Sequence, residues 1–318
     1  MNSGNRIAGI DCGTNSIRLL IADVGADGRL LDVVRQMRVV RLGEGVDATG
    51  RFAPEALQRT RDALVNYTEL LVEHSVSRVR MVATSATRDA ANRQDFFDMT
   101  AQVLGAAVPG AVAEVITGTE EAALSFRGAV GELDSADAPF VVVDLGGGST
   151  EVVLGDPAGG VSASYSANIG CVRLTERCLH TDPPTAGEIA AARGVVRELL
   201  GRALQAVPVH DARTWVGVAG TMTTLAALAR GLTRYDAQAI HLSRVGFDEL
   251  TAVCEQLIGM TRAQRAALGP MHPGRVDVIG GGAIVVQELT RELAERAGLA
   301  ELVVSEHDIL DGIALSIV

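Results

Sequence analysis

The chain has 318 residues, of which 47% are hydrophobic and only 3% aromatic, so its cores must be built from Ala, Val, Leu and Ile. Its net charge of −11 argues against a general nucleic-acid surface, because binding to a polyanion needs an excess of cationic side chains on one face. The sequence contains no lysine, which excludes a Walker A loop and Schiff-base chemistry.

The spacing of cysteines and histidines indicates the cellular compartment and whether a structural metal site is expected. The four cysteines lack Cys-x-x-Cys spacing and the histidines are dispersed, which argues against structural zinc and disulfides and favours a reducing cytoplasm. No apolar run of signal-peptide length precedes the first strand, and no segment reaches the roughly 18 apolar residues of a membrane span. We therefore predict a cytoplasmic protein with neither nucleic-acid nor membrane partners.

The first predicted element is a strand, tight turn and strand over residues 10–21. Asp11 ends the first strand, and Arg18 lies in the second. The turn consists of small and polar residues, namely Gly13, Thr14, Asn15 and Ser16. Glycines permit the positive φ angles and the close approach that let backbone N–H groups point at an anion. The pattern indicates a phosphate-binding turn.

A helix is predicted from Pro54, because apolar residues follow at helical spacing and proline suits the first turn. The predicted strand over residues 78–83 then leads into a hydroxyl-rich loop, residues 84–89, that contains Arg88. Ligand groups of open α/β sheets commonly lie at strand ends, which makes Arg88 a candidate ligand-binding cation. The competing interpretation is a surface charge.

Residues 117–120 have the spacing of a capping box, in which Thr117 caps a helix and Glu120 reaches back to the N-cap N–H. Glu121 is then a carboxylate in the first helical turn without a capping role. It is a candidate general base for activating water near phosphates. The alternative is a first-turn acid that complements the helix dipole, and spacing alone favours that alternative.

The first hairpin is repeated later in the chain. Residues 143–154 align without a gap on residues 10–21, at an offset of 144 − 11 = 133. Asp144 then matches Asp11, and Gly146 matches Gly13. A repeated strand-turn-strand indicates two similar α/β domains, each presenting one anion-binding hairpin to a shared cleft.

The second hairpin carries its own phosphate-binding candidates. Glu151 replaces the arginine of the first copy, so two carboxylates, Asp144 and Glu151, flank the turn. Carboxylates beside bound phosphate usually hold a hard cation such as Mg²⁺. For either turn alone, an ordinary Gly-rich hairpin is the alternative. The turn residues are Gly146, Gly147, Gly148, Ser149 and Thr150.

Further elements are predicted in the second half of the chain. Residues 165–174 are predicted to pass from strand to loop, and Thr185 with Glu188 has capping-box spacing. Residues 215–224 indicate a strand, a Gly220-Thr221 turn and a helix whose N-terminus can bind an anion. Residues 276–283 are predicted to repeat this pattern of strand, Gly-rich turn and helix, with a strand end at Gly280 and a helix over 284–297.

These motifs resemble the exopolyphosphatase and guanosine pentaphosphate phosphohydrolase family of the actin, sugar kinase and Hsp70 superfamily. The matching segments are residues 9–18, 83–88, 118–122, 143–151, 217–221 and 305–312. The resemblance implies an α/β fold of two similar actin-like (ribonuclease H-like) domains with an interdomain cleft. The expected domains are residues 1–120 plus 304–318, and 121–303.

The resemblance also implies an activity, which is removal of terminal orthophosphate from inorganic polyphosphate or of the 5′ γ-phosphate from guanosine pentaphosphate, with Mg²⁺ or another divalent metal. It makes Glu121 the general base and Arg88 the group that steadies the transferring phosphoryl group. Asp144 and Glu151 would face the metal, and Asp11 the phosphate and metal region. The phosphate-binding groups would be Arg18, the turns 13–16 and 146–150, Gly220 and Thr221.

Two departures from the family pattern are visible. The extra C-terminal helical domains of longer members are not present in these 318 residues, so we expect a short form, a homodimer by resemblance, that prefers short chains. Leu310-Asp311-Gly312 stands where many members have Arg-Glu-Gly, so any role of that arginine is lost or moved. The competing hypotheses are a sugar or acyl kinase and a non-catalytic sensor of guanosine tetra- or pentaphosphate.

Overall fold

A computed structural model of the chain describes residues 6–318. The chain divides into two compact units. Unit 1 consists of the chain up to Gly128 together with Ile309–Val318, and unit 2 is Ala129–Asp308. None of the helices within residues 6–318 is long and apolar enough to cross a membrane.

Unit 1 is built on a five-stranded sheet of order β3-β2-β1-β4-β5. Its strands are β1 (Arg6–Cys12), β2 (Ser16–Val24), β3 (Leu30–Val39), β4 (Arg78–Ala83) and β5 (Ala113–Val115). Its helices are α1 (Val46–Thr49), α2 (Pro54–Glu73), α3 (Ser85–Asp89), α4 (Arg93–Gly105), α5 (Gly118–Ala129) and, at the end of the chain, α13 (Ile309–Leu315). The pairings β1/β2 and β2/β3 are antiparallel, whereas β1/β4 and β4/β5 are parallel.

Helices cover both faces of the central strands of this sheet. Ile17 and Leu19 of β2 pack in one apolar cluster with Leu64 of α2. On the opposite face, Leu20 packs with Leu310 of α13. Side chains of a strand alternate between its two faces, so the near-continuous apolar run of β2 matches a strand that is buried on both sides.

Unit 2 is built on a six-stranded sheet of order β10-β11-β9-β6-β7-β8. Its strands are β6 (Phe140–Leu145), β7 (Thr150–Asp156), β8 (Gly160–Ala167), β9 (Thr214–Val218), β10 (Ser243–Gly246) and β11 (Glu301–Val304). Its helices are α6 (Cys171–Cys178), α7 (Ala186–Ala206), α8 (Ala219–Ala229), α9 (Ala237–Ile240), α10 (Phe247–Gly259), α11 (Arg262–Ala266) and α12 (Ile279–Ala297). Val143 of β6, Trp215 of β9, Leu200 of α7 and Ile284 of α12 belong to one core cluster.

The predicted repeat is confirmed in three dimensions. In each unit an antiparallel hairpin is followed by a parallel pairing of its first strand, β1 with β4 and β6 with β9. Gly13 N donates to Ser16 O at 2.9 Å, and Gly146 N donates to Ser149 O at 3.1 Å. The fold is therefore mixed α/β with two sheets of related topology, as the sequence predicts.

Four predictions of local secondary structure are wrong. Gly220 and Thr221 do not form a turn between β9 and the helix, because both lie in the first turn of α8. The loop after β4 is the short helix α3, and the segment after β8 is helix α6. Residues 276–278 do not form a strand, and helix α12 begins at Ile279, so Gly280 is not a strand end. The β-branched residues there resemble a strand, but Gly281 allows close helix packing: a Cβ on it would lie 2.5 Å from Thr175 Oγ1 of α6.

Candidate functional site

In unit 1 the hairpin pairs two of the predicted site residues with each other. Asp11 lies directly opposite Arg18 in the β1/β2 register. Arg18 donates from Nε and Nη2 to Asp11 Oδ2 at 3.0 and 2.7 Å, and Asp11 is buried. A phosphate oxygen that binds Arg18 must therefore compete with the carboxylate of Asp11.

The turn of this hairpin is held by the chain that follows β3. Asn15 O accepts hydrogen bonds from Val40 N and Arg41 N at 3.1 and 2.9 Å, and Gly43 N donates to Thr14 O at 2.8 Å. A Cβ on Gly43 would lie 2.4 Å from Thr14 Cγ2, so only glycine allows this approach. No sequence motif points to Gly43, because its role depends on a contact with a turn far earlier in the chain.

The glycines of the two turns do not take left-handed backbone, and the second turn instead needs space for a glycine that packs against it. Within residues 6–318, the glycines with positive φ do not include Gly13 or residues 146–148. The expectation of positive φ in these turns is therefore wrong. The need for space is clearest at Gly170, where a Cβ would lie 2.4 Å from Gly147 O.

Helix α6 fixes the turn of the second hairpin. Cys171 N donates to Gly146 O at 3.0 Å, and Val172 N and Arg173 N donate to Gly147 O at 2.9 and 3.1 Å. These are first-turn N–H groups that lack partners within a helix, and here they bind the carbonyl groups of the turn. The backbone of the predicted phosphate-binding turn is thus rigidly held within unit 2.

Asp144 and Glu151 lie directly opposite each other in the β6/β7 register. Both are buried, at 7% and 1% exposure, and Ser166 Oγ donates to Glu151 Oε1 at 2.6 Å. Like charges at directly paired positions destabilise a sheet. A divalent cation offsets that repulsion, and carboxylate oxygens are the ligands that Mg²⁺ takes. The pair therefore fits a Mg²⁺ site.

The N-terminus of α5 bears two acidic residues with different partners. Glu120 N donates to Thr117 Oγ1 at 3.1 Å, so Thr117 caps the helix. The Glu120 carboxylate accepts from Arg80 Nη2 at 2.6 Å instead of reaching back to the N-cap. The second half of this predicted capping box is therefore wrong, because a charge on β4 outcompetes a backbone N–H.

Glu121 and Arg88, the predicted base and the predicted phosphoryl-binding cation, form an ion pair within unit 1. Arg88 Nη1 donates to Glu121 Oε2 at 2.7 Å and to Ile116 O at 3.1 Å. Glu121 is only 7% exposed. The ion pair requires the ionised carboxylate, which is the form that accepts a proton from water.

The first turn of α8 lies beside a cation that no sequence motif identifies. A Cβ on Gly220 would lie 2.3 Å from Arg275 Cζ, so the guanidinium lies against the Gly220 backbone. Arg275 Nη1 donates to Thr224 Oγ1 at 3.0 Å, and Thr224 Oγ1 donates to Gly220 O at 2.7 Å. Arg275 therefore adds positive charge to the turn that contains Gly220 and Thr221.

The first turn of α8 contains backbone strain and contacts a neutral thiol of α6. Ala219 has a φ of 71°, a conformation that costs energy for a residue with a Cβ and that clusters at functional sites. Burial raises the pKa of the Cys171 thiol to about 11, although a hydrogen bond with Thr221 opposes the shift. Cys171 is thus a protonated neighbour of Thr221 at neutral pH and not a nucleophile.

The segment Leu310-Asp311-Gly312 packs against other elements of unit 1. Leu310 is buried in an apolar cluster with Leu20, and the Asp311 carboxylate accepts from both Nη atoms of Arg35. A Cβ on Gly312 would lie 2.0 Å from Leu124 O of α5. Leucine suits the apolar environment of position 310, where an arginine would bury its charge.

Two α/β units with related sheets and acid-bearing hairpins define a protein of the actin-like fold class. The model of the Ppx/GppA phosphatase family matches residues 20–317. Exopolyphosphatase 2 of Mycobacterium tuberculosis (strain H37Rv) is 72% identical over 315 residues, which cover 98% of each chain.

Solved structures agree with this assignment. An exopolyphosphatase-like protein has a TM-score of 0.93 at 47% identity, over 98% of this chain and 97% of that one. The Aquifex aeolicus member of the Ppx/GppA protein family has a TM-score of 0.79 at 32% identity, again over 98% and 97%. The chain belongs to the Ppx/GppA phosphatase family.

Proposed function

We propose that this protein is an exopolyphosphatase that releases terminal orthophosphate from inorganic polyphosphate by attack of water. The observation that carries the proposal is the 72% identity, over 98% of both chains, to the protein named Exopolyphosphatase 2. The pair of buried Glu121 and half-buried Arg88 supports a hydrolytic reaction, because it places a carboxylate base beside a cation that suits phosphoryl oxygens.

Glu121 accepts the proton of the attacking water, and Arg88 binds oxygens of the transferring phosphoryl group. The contacts of Arg88 within residues 6–318 use only Nη1, so the N–H groups of Nε and Nη2 can donate to phosphoryl oxygens while Glu121 stays in place. An arginine in this role contributes up to about 10³–10⁵ in rate. The base is thus oriented by the same side chain that binds the substrate.

The remaining phosphates of the chain bind to backbone N–H groups and arginines. Within unit 1 the candidate groups are the turn 13–16 and Arg18. Within unit 2 they are the turn 146–150, Gly220 and Thr221. Arg275 joins this set because it lies against Gly220. A hydrogen bond to a charged oxygen contributes about 1.5–3 kcal/mol, so several such donors hold a polyanion without any lysine.

Within unit 2, Asp144 and Glu151 would hold the Mg²⁺ ion. Within unit 1, Asp11 is the carboxylate that the family resemblance assigns to a metal and phosphate region. When bound, the ion supplies positive charge that stabilises the oxygens of the reacting phosphoryl group. Ser166 orients Glu151 through the hydrogen bond to Oε1. Asp11 has to share its carboxylate with Arg18, which donates twice to Oδ2.

The test is orthophosphate release with Mg²⁺ from short polyphosphate, long polyphosphate, guanosine pentaphosphate and ATP. Glu121→Gln keeps the shape and loses the base, so we expect turnover to fall by about 10²–10⁴. Glu120→Gln is the matched control, because Glu120 is the adjacent acid and pairs with Arg80. We expect the control to retain near-normal turnover and the native protein to favour short polyphosphate.

Each other outcome points to a different function. Release from guanosine pentaphosphate alone would make the protein an alarmone phosphohydrolase. Tight binding of guanosine polyphosphates without release would indicate a sensor, and phosphate transfer from ATP to a sugar would indicate a kinase. Equal turnover in Glu121→Gln and Glu120→Gln would remove Glu121 from the reaction.

We also infer a cytoplasmic homodimer. The four cysteines, Cys12, Cys171, Cys178 and Cys254, are all free thiols, which supports a reducing compartment. The dimer rests on the family resemblance, and sedimentation equilibrium of the purified protein tests it.

A further inference from the structure

Three metal-ligating side chains from distant parts of the sequence meet within unit 2. Glu132 follows α5, His241 follows α9, and His307 follows β11. One ligand atom from each lies within 4.8 Å of the other two. His241 Nε2 and Glu132 Oε2 are 3.0 Å apart, and His307 Nε2 and Glu132 Oε1 are 3.8 Å apart. None of the three belongs to the residue set assigned to polyphosphate hydrolysis.

The chemistry of this cluster differs from that of Asp144 and Glu151. Two imidazoles and a carboxylate are a ligand set typical of Zn²⁺ and related transition metals, whereas Mg²⁺ takes oxygen ligands. Metal–ligand bonds of about 2.0–2.2 Å in a tetrahedron place ligand atoms about 3.3 Å apart, close to the spacings found here. The side chains of His241 and Glu132 are 19% and 58% exposed, so an ion can reach them from solvent.

We propose that Glu132, His241 and His307 form a second metal site, selective for a transition metal of the Zn²⁺ class. It is distinct in its residues and in its ligand chemistry from the Mg²⁺ site proposed at Asp144 and Glu151. Three protein ligands leave a fourth tetrahedral position for water.

Binding at this site requires a change of tautomer at His241. Glu306 N donates to His241 Nδ1 at 3.2 Å, so the neutral ring carries its proton on Nε2 and donates it to Glu132. A metal at Nε2 needs that lone pair, so the proton moves to Nδ1. Two donors cannot face each other, and the hydrogen bond from Glu306 N is lost. Metal binding is therefore coupled to release of the Glu306 amide.

This coupling acts at the ends of unit 2. Glu132 lies close to its first residue, Ala129, and His307 is adjacent to its last residue, Asp308. A bound ion would link the first and the last segment of unit 2 through Glu132 and His307. The ion would replace a hydrogen-bonded cluster by coordinate bonds at this position.

The test is a titration of the metal-free full-length protein with Co²⁺ and with Zn²⁺ in excess Mg²⁺, which occupies the all-oxygen sites. We expect one equivalent of Co²⁺ to bind with the visible absorption bands of tetrahedral nitrogen and oxygen ligation, and Zn²⁺ to displace it. Hydrogen exchange of the peptide that contains Glu306 should become faster when the metal binds.

His241→Gln, His307→Gln and Glu132→Gln should each weaken Co²⁺ binding by about tenfold or more. Glu132 is exposed, so its variant tests the site even if a histidine variant does not fold. His210→Gln is the control, because His210 is an exposed histidine beside Asp211 in the same unit. Equal affinity in all four variants, or no binding at millimolar Co²⁺, would overturn the proposal.

Discussion

At the scale of single residues, the groups expected to bind ligands are engaged with one another. Arg18 pairs with Asp11, and Arg88 pairs with Glu121, each at 2.7 Å. Such pairs hold long side chains in one geometry before a substrate binds, which lowers the entropy cost of binding. Arg88 still has donors left over, because its contacts within residues 6–318 use only Nη1 of a guanidinium that carries five N–H groups.

Gly220→Ala tests the role of Arg275 in substrate binding. The new Cβ would collide with the guanidinium, which can move away because it is the end of a flexible side chain. We expect KM for short polyphosphate to rise by about tenfold, equivalent to one hydrogen bond to a charged oxygen, with little change in Tm.

Gly259→Ala is the matched control, since a Cβ at that position meets no atom within 4 Å. Its KM should equal that of the native protein. If Gly220→Ala also leaves KM unchanged, Arg275 has no part in binding the substrate.

At the scale of elements, a helix-capping motif forms as the sequence predicts where no stronger hydrogen-bond partner competes for its acidic side chain. The capping box of α7 is complete, with Thr185 and Glu188 each bonding to the other's backbone. At α5 the same motif is half formed, because Glu120 binds Arg80. A capping motif therefore specifies the start of a helix more reliably than it specifies the partner of the acid.

Helix α13 depends on a glycine for its contact with α5. In Gly312→Ala the new Cβ would lie 2.0 Å from the backbone oxygen of Leu124, which cannot move without shifting α5. We expect the free energy of unfolding to fall by about 1–3 kcal/mol, as for other overpacked sites, in urea denaturation.

Gly194→Ala on α7 is the opposite case. A Cβ there meets no atom within 4 Å, and alanine has the higher helix propensity, so we expect a gain of about 0.5–1 kcal/mol. The same sign of change in both variants would contradict this account of α13 packing.

At the scale of the whole molecule, unit 1 is assembled from two segments that are separated by all of unit 2. Its closing helix α13 supplies Leu310 and Ile313 to apolar clusters with Leu20 and Val82. Unit 1 therefore cannot complete its core until the end of the chain is available.

A chain that ends at Asp308 tests this dependence. It lacks α13 and exposes the apolar face of β1 and β2, so we expect amide hydrogen exchange to accelerate in β1, β2 and β4. Unit 2 serves as the internal control, and β6, β7 and β9 should keep their protection. Equal loss of protection in both units would contradict the assignment of α13 to unit 1.

Much of the fold can be predicted from contiguous stretches of sequence. The hairpins, their repeat at 133 residues and the helices that begin at Pro54 and after Thr185 depend on neighbours in the chain, and the structure confirms them. The pairing of Glu121 with Arg88 places two predicted site residues together, although their catalytic roles remain predictions.

Tertiary structure alone decided the features that join distant residues. Residues 279–282 begin a helix and not a strand end, and Gly281 in this segment packs against α6. Arg275 lies against Gly220, which is far from it in the sequence. Tertiary structure also gathered Glu132, His241 and His307, which are dispersed in the sequence, into one cluster. Local patterns encode backbone conformation through short-range sterics and hydrogen bonds, whereas these contacts depend on how separate elements pack.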